Sequence, residues 1–160
     1  MALSAAHKEA LVRAQVDFRQ LVAVELNHST FSGSLRFVNY TSDISVSGKT
    51  FYATAMEVAE PPVSVDAVNT MTISIDGVSG IIQPYLYDAA QLPEPVYVTV
   101  APFGYNLSTG SVLEVGYYQL EMLSNTITAE RIVLNCGIIN SANAPFPSVR
   151  YKPETHGGLY

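Results

Sequence analysis

The hydrophobic pattern of the chain changes its period near residue 20. Before that point, apolar residues recur every three or four positions: Ala6, Ala10, Leu11, Ala14, Phe18 and Leu21. This spacing is typical of one amphipathic helix, and Ser4 is a suitable N-cap residue for it. The sequence therefore predicts a helix from residue 4 to about residue 20.

After residue 20, apolar and polar residues mostly alternate, as expected of half-buried strands. The predicted strands are 22–26, 35–40, 44–46, 50–58, 70–76, 95–100, 112–123 and 127–139, the last two forming a long hairpin. A short helix interrupted near Pro84 is predicted over 81–92. Seven or eight strands separated by turn residues predict a mainly β fold, an antiparallel barrel or sandwich. The domain plan is a helix over 1–20, a β domain over 21–144 and an extended arm over 145–160.

The arm combines helix-breaking residues with large apolar ones. Two prolines and Gly157-Gly158 exclude a continuous helix there. Such a segment is expected to lie on a surface, either that of its own domain or that of a neighbouring subunit. Because ordering each residue costs about 1 kcal/mol, the neighbour is the preferred partner. The candidate subunit-interface residues are Phe18, Leu21, Phe146, Tyr151, Leu159 and Tyr160.

Composition favours a subunit of an assembly. The 160 residues are 48% apolar and only 14% charged, with a net charge of −6, whereas about a quarter of residues are charged in a typical domain. The eight basic residues are scattered, which disfavours nucleic-acid binding. No apolar run is long enough to span a membrane, and no signal sequence is recognisable. We expect a soluble protein made in a reducing cytoplasm.

The residues provide little catalytic chemistry. The single cysteine, Cys136, lies in an apolar run and is expected to be buried and inert. The three histidines lack neighbours at metal-ligand spacing. Glu57 and Glu60 are a pair that a glycosidase could use, although carboxylates at strand ends are usually solvated. We therefore predict no catalytic residue, no metal and no cofactor.

Several short motifs occur together in a recognisable order. They are Leu-Val-x-Val-Glu-Leu-x-His-x-x-Phe (21–31), Leu-Arg-Phe-Val-Asn (35–39), Pro61-Pro62, x-Ile-x-Ile-Asp-Gly-Val (72–78), and Phe-Pro-x-x-Arg-Tyr to His-Gly-Gly-Leu (146–159). In this order the chain resembles the hub module of the lambda-like tail-tip proteins of long-tailed bacteriophages. The resemblance covers most of the chain from about residue 21 onward.

The resemblance implies a structural virion protein at the tail tip or baseplate hub, made in the host cytoplasm. It implies a homo-oligomeric ring, with a trimer preferred, between the distal tail protein or tail tube end and the central hub or fibre protein. Larger relatives carry a cysteine-ligated iron–sulfur cluster. This chain has only Cys136, so that cofactor is not expected here. The alternatives are a carbohydrate-binding β-sandwich for host recognition and, third, a small glycosidase.

Overall fold

The computed structural model of the chain describes residues 17–59, 70–114 and 116–138. These residues form ten strands and one helix. The elements are β1 (Phe18–Asn27), β2 (Leu35–Asn39), β3 (Ile44–Val46), β4 (Lys49–Thr54), β5 (Met56–Ala59), β6 (Thr70–Asp76), α1 (Ser79–Ala89), β7 (Tyr97–Asn106), β8 (Val112–Glu114), β9 (Tyr118–Ile127) and β10 (Arg131–Ile138).

All ten strands belong to one mixed sheet in the order β3-β4-β2-β1-β7-β9-β10-β6-β5, with β8 paired to the remaining edge of β7. Every pair is antiparallel except β2 and β4, which run parallel. Only Ala55 separates β4 from β5, although these strands lie near opposite ends of the sheet order. The sheet therefore folds over on itself. It is not closed into a barrel, and its two halves face each other as in a sandwich.

The space between the two halves holds the first core. Its fully buried side chains come from both halves of the sheet: Val24, Leu26, Ile73, Ile75, Val98, Leu120, Ile132, Leu134 and Cys136. We call the sheet face toward this core the inner face. Alternation along each strand directs the intervening residues to the opposite, outer face.

The helix α1 completes the first core. Gly77 has a positive φ of 72° and makes the turn that separates β6 from the helix. Ile82, Leu86 and Ala89 recur at steps of four and three and are buried in the core. Pro84 is the central residue of this helix and has no backbone N–H to donate to the preceding turn.

A second, smaller core lies on the outer face of β1, β2 and β7. The β3–β4 hairpin covers that face. The buried members of this second core are Leu21, Ala23, Val38, Ile44, Phe51 and Phe103. Because β1 contributes to both cores, it is buried on both faces over part of its length. This two-sided burial makes β1 and β7 the rigid centre of the domain.

The structure confirms a mainly β fold with a short mid-chain helix. It corrects three details. β1 begins at Phe18, so residues 18–20 are strand and not the end of the predicted helix; residues 4–16 of that helix lie outside the described residues, as does the arm over 145–160. The predicted strand 50–58 bends at Ala55, and the predicted strand 112–123 is divided into β8 and β9.

Candidate functional site: a groove on the outer face of the sheet

His28 of the first motif is a buried structural residue. Thr30 donates its backbone N–H to His28 Nδ1 at 3.2 Å, and the Thr30 hydroxyl lies 2.8 Å from the same nitrogen. His28 Nε2 lies 3.3 Å from the carbonyl oxygen of Glu94, which fits the tautomer protonated at Nε2. The ring also contacts Phe31, which packs edge-to-face on Tyr85 of α1. These contacts fix the β1–β2 connection against the helix.

Glu25 of the same motif joins two strands and the hairpin. Arg36 Nε donates to one of its carboxylate oxygens at 3.0 Å, and Lys49 Nζ donates to the other at 3.2 Å. Burial of Glu25 opposes its ionisation, but the hydrogen bonds from Lys49 and Ser34 and the charges of Lys49 and Arg36 outweigh it and lower the pKa of Glu25. The carboxylate therefore ties the β3–β4 hairpin to the sheet.

Asp76 of the Asp-Gly-Val motif is also paired. Arg131 donates to its carboxylate through Nε at 2.6 Å and through Nη2 at 3.2 Å, a bidentate arrangement. Hydrogen bonding from Arg131 lowers the pKa of Asp76, and the same pair raises that of Arg131. This contact joins the end of β6 to the start of β10.

The remaining candidates for chemistry do not meet in one place. Burial raises the pKa of the Cys136 thiol to about 12, as expected of an unreactive thiol. Glu57 is exposed on β5, and its predicted companion Glu60 lies outside the described residues. Within the described ranges, His, Cys, Asp and Glu side chains form no group of three that could hold a metal ion.

A groove on the outer face of β1, β7 and β9 has a volume of about 340 Å³. Its floor includes Ala23 and Ala101, which are directly opposed in the β1–β7 ladder. Its walls come from the β3–β4 hairpin, from β8 and from the residue that precedes β9: Val46, Ser47, Lys49, Phe51, Val112 and Tyr117. A second hollow of about 390 Å³ continues it toward Asn27 and Tyr97 and shares Glu25, Thr99 and Gln119. We refer to the two together as the outer groove.

A β-bulge exposes one further apolar side chain on β9. The β9–β10 register skips Leu123 between Met122 and Ser124. Leu123 is 59% exposed, and a Cβ atom on Gly137 would lie only 2.9 Å from its Cδ1 atom. The glycine thus provides the space that Leu123 occupies. Bulges often re-aim a side chain near a functional surface.

The two predicted interface residues that the structure describes have different surroundings. Leu21 is only 5% exposed and belongs to the second core, so it leaves little surface for a subunit contact. Phe18 is half-buried at the first position of β1. Phe146, Tyr151, Leu159 and Tyr160 lie outside the described residues. Only two of the six predicted interface residues are therefore described, and the predicted interface stays a prediction.

Sequence reasoning missed the outer groove. The usable signal was the odd-numbered set in β7, where Tyr97, Thr99 and Ala101 alternate with the buried Val98 and Val100. That alternation shows which side chains share the outer face. It does not show that the hairpin rises beside them, because this depends on the parallel β2–β4 pairing.

The fold and the outer groove define a β-rich module with a preformed surface concavity. The chain belongs to the family described as a domain of unknown function, DUF1833, whose model matches residues 6–151. No curated protein matches the chain. Among the described residues, no helix has the length and apolar character needed to cross a bilayer.

Proposed function

We propose that this protein is a structural, non-enzymatic component of a bacteriophage tail tip or baseplate hub. In this role it forms a homo-oligomeric ring, with a trimer preferred. The ring joins the distal tail protein or the tail tube end to the central hub or fibre protein. The proposal follows the order of motifs along the chain, and its mechanism is mechanical: the ring ends the tube and supports the fibre-bearing hub.

One observation carries the proposal of an assembly subunit. Large apolar side chains are 38–70% exposed at eight described positions: Tyr52, Ile81, Tyr87, Leu92, Tyr97, Leu107, Tyr117 and Leu123. Only 14% of the whole sequence is charged. Protein interfaces are enriched in tyrosine and depleted of charged side chains, and this surface has both properties. It suits a protein whose neighbours cover it.

The contacts of the motif residues support the same proposal. Glu25, His28, Phe31 and Asp76 serve hydrogen bonds, ion pairs and ring packing within the domain. Their polar groups are engaged in holding strands and helix together. A module whose motif residues stabilise its own fold, and whose exposed surface carries apolar side chains, is suited to assembly.

The outer groove favours one alternative function, carbohydrate binding for host-surface recognition. Tyr117 at its wall is 59% exposed, and aromatic side chains commonly pack on sugar rings. Gln119 and Thr99 provide polar groups beside it. This reading predicts a stable monomer that binds glycans, whereas the ring predicts an oligomer.

Light scattering after size-exclusion chromatography tests the ring. The purified protein is expected as a homo-oligomer at micromolar concentration, and Leu123→Arg is expected to reduce it to a folded monomer because the bulge directs this side chain outward. Gln83→Arg on α1 is the matched control, since Gln83 is an exposed polar side chain and is not among the eight exposed apolar positions. A wild-type monomer at every concentration, absent from purified particles, would refute the proposal.

A further inference from the structure

The outer groove has an ordered sequence of surface chemistry along its length. At one level, Ala23 and Ala101 oppose each other and leave a gap beside Phe51 and Phe103. Two residues further down β7, Thr99 is opposite Gln119 of β9. Two residues beyond, Tyr97 is opposite Glu121. Along the outer groove, a space that could hold an aromatic side chain is therefore followed by neutral polar groups and then by a carboxylate.

Residues 146–150 repeat this order. Phe146, Ser148 and Arg150 would share one side of an extended segment, because side chains alternate with a period of two. The rise is about 3.3 Å per residue in both the segment and the strand. When Phe146 lies over the two alanines, Ser148 reaches Thr99 and Gln119, and Arg150 reaches the level of Glu121.

The chain can reach this position within its own domain. Ile138, the last residue of β10, is paired with Leu120 of β9, and β9 is the neighbour of β7. The floor therefore lies about two strand spacings away, or about 10 Å. The seven residues 139–145 span up to about 23 Å when extended, enough to cross β9 and rise to Ala101.

Two further observations favour the chain's own segment as the occupant. The family match continues to residue 151, so residues 139–151 belong to the matched domain and are not an appendage to it. Glu121 forms no salt bridge with the other described residues, which leaves its charge available to Arg150. Pro147 lacks a backbone N–H, which suits a segment lying on a sheet face better than one paired in a ladder.

We infer that residues 146–150 of the same chain occupy the outer groove, with Phe146 over Ala23 and Ala101 and Arg150 beside Glu121. The preformed groove reverses the preference for a neighbouring subunit, because a tethered segment binds at a high effective concentration. This inference does not depend on the tail-tip function.

Disulfide trapping tests the position of the segment. In the double variant Ala101→Cys with Phe146→Cys, mild oxidation is expected to give a link within one chain, seen as a fast-migrating monomer and a 101–146 cross-linked peptide. The matched control is Tyr52→Cys with Phe146→Cys. Tyr52 is exposed and follows Phe51 of the second core, but it does not line the outer groove. The linkage should form at least about tenfold faster in the test pair than in the control.

The other results would overturn the inference. A linked dimer would show that the segment belongs to a second copy, and linkage no faster than the control would show that the outer groove is not its site. Charge reversal provides an independent measurement if the cysteine variant does not fold. Glu121→Arg and Arg150→Glu should each lower the thermal midpoint, and together should recover most of the loss. Losses that simply add would exclude the Arg150–Glu121 contact.

Discussion

Replacing Glu25 by Gln tests whether its ion pairs hold the β3–β4 hairpin on the sheet. The Glu25 side chain is 19% exposed and accepts from Arg36, which is 27% exposed, and from Lys49, which is 51% exposed. Hydrogen bonds to charged groups contribute about 1.5–3 kcal/mol when shielded, and exposed ion pairs less than about 1 kcal/mol. We therefore expect Glu25→Gln to lose about 1–2 kcal/mol at pH 7, most of it through Arg36.

The loss should depend on pH with a definite sign. The pKa of Glu25 lies below its ordinary value of 4.5, so the ionised carboxylate stabilises the fold above that pH. This contribution disappears as the pH falls through the folded-state pKa. Urea denaturation of the wild type and Glu25→Gln should give a free-energy difference that is constant from pH 6 to 8 and shrinks below pH 4.5. Asp76 titrates in both proteins, so its contribution to the free-energy difference largely cancels.

Lys49→Met is the matched control for the same network. Because Lys49 is half exposed, its removal should cost less than about 1 kcal/mol and leave the Arg36–Glu25 contact in place. A Glu25→Gln effect that persists unchanged at low pH would refute the electrostatic reasoning. A loss of stability in Lys49→Met as large as that in Glu25→Gln would also refute it.

The cores and the bulge give three further predictions. Ile82→Ala and Leu134→Ala should each cost about 2–5 kcal/mol in urea denaturation, because both side chains are fully buried; a loss below about 1 kcal/mol for Ile82 would mean that α1 is not part of the core. Cys136 should not react with a thiol reagent at pH 8 until the protein unfolds, because its thiol is buried and its pKa is raised to about 12; rapid modification of the native protein would contradict this. Gly137→Ala should lower the thermal midpoint only slightly, because exposed Leu123 can rotate away from the new methyl group, whereas Gly137→Val should lower it clearly; equal effects would refute the steric argument.

The period of the apolar residues was sufficient to identify most strands. Alternation identified β6 around Ile73 and β7 around Val98, and the inward side chains are those that the pattern selected. It failed where chain direction changes without a turn residue. Ala55 separates β4 from β5 in a stretch that contains neither glycine nor proline, and no local signal marks the position where one strand leaves its ladder and the next joins another.

The start of β1 illustrates a second limit. Phe18 and Leu21 are three positions apart and fit the stripe of the predicted helix, yet Phe18 opens a strand that pairs with Asn106. Leu21 is opposite Phe103 on β7, and the contact lies far away in sequence. A pairing partner of this kind outweighs local helical periodicity, because strand preference reflects packing against neighbours as much as local propensity.

The candidate site was less predictable than the fold for a related reason. A groove on a sheet face exists only where small side chains from separate strands meet, and Ala23 and Ala101 meet through register alone. Neither alanine is informative in the sequence.

Occupation of the outer groove by residues 146–150 would also affect assembly. If residues 146–150 lie in the groove, the cost of ordering them, about 1 kcal/mol per residue, is met within the monomer. The following residues up to Tyr160 then start from a fixed point beside Glu121 and the bulge at Leu123, and a neighbouring subunit has fewer residues to order on contact. A subunit prepared in this way associates with a smaller entropy loss. Deleting residues 146–150 should therefore weaken both the thermal stability of the monomer and ring formation, whereas truncation after Tyr151 should weaken ring formation alone. Calorimetry and light scattering on the two variants separate these effects, and equal stability losses in both would show that the groove segment extends beyond residue 151.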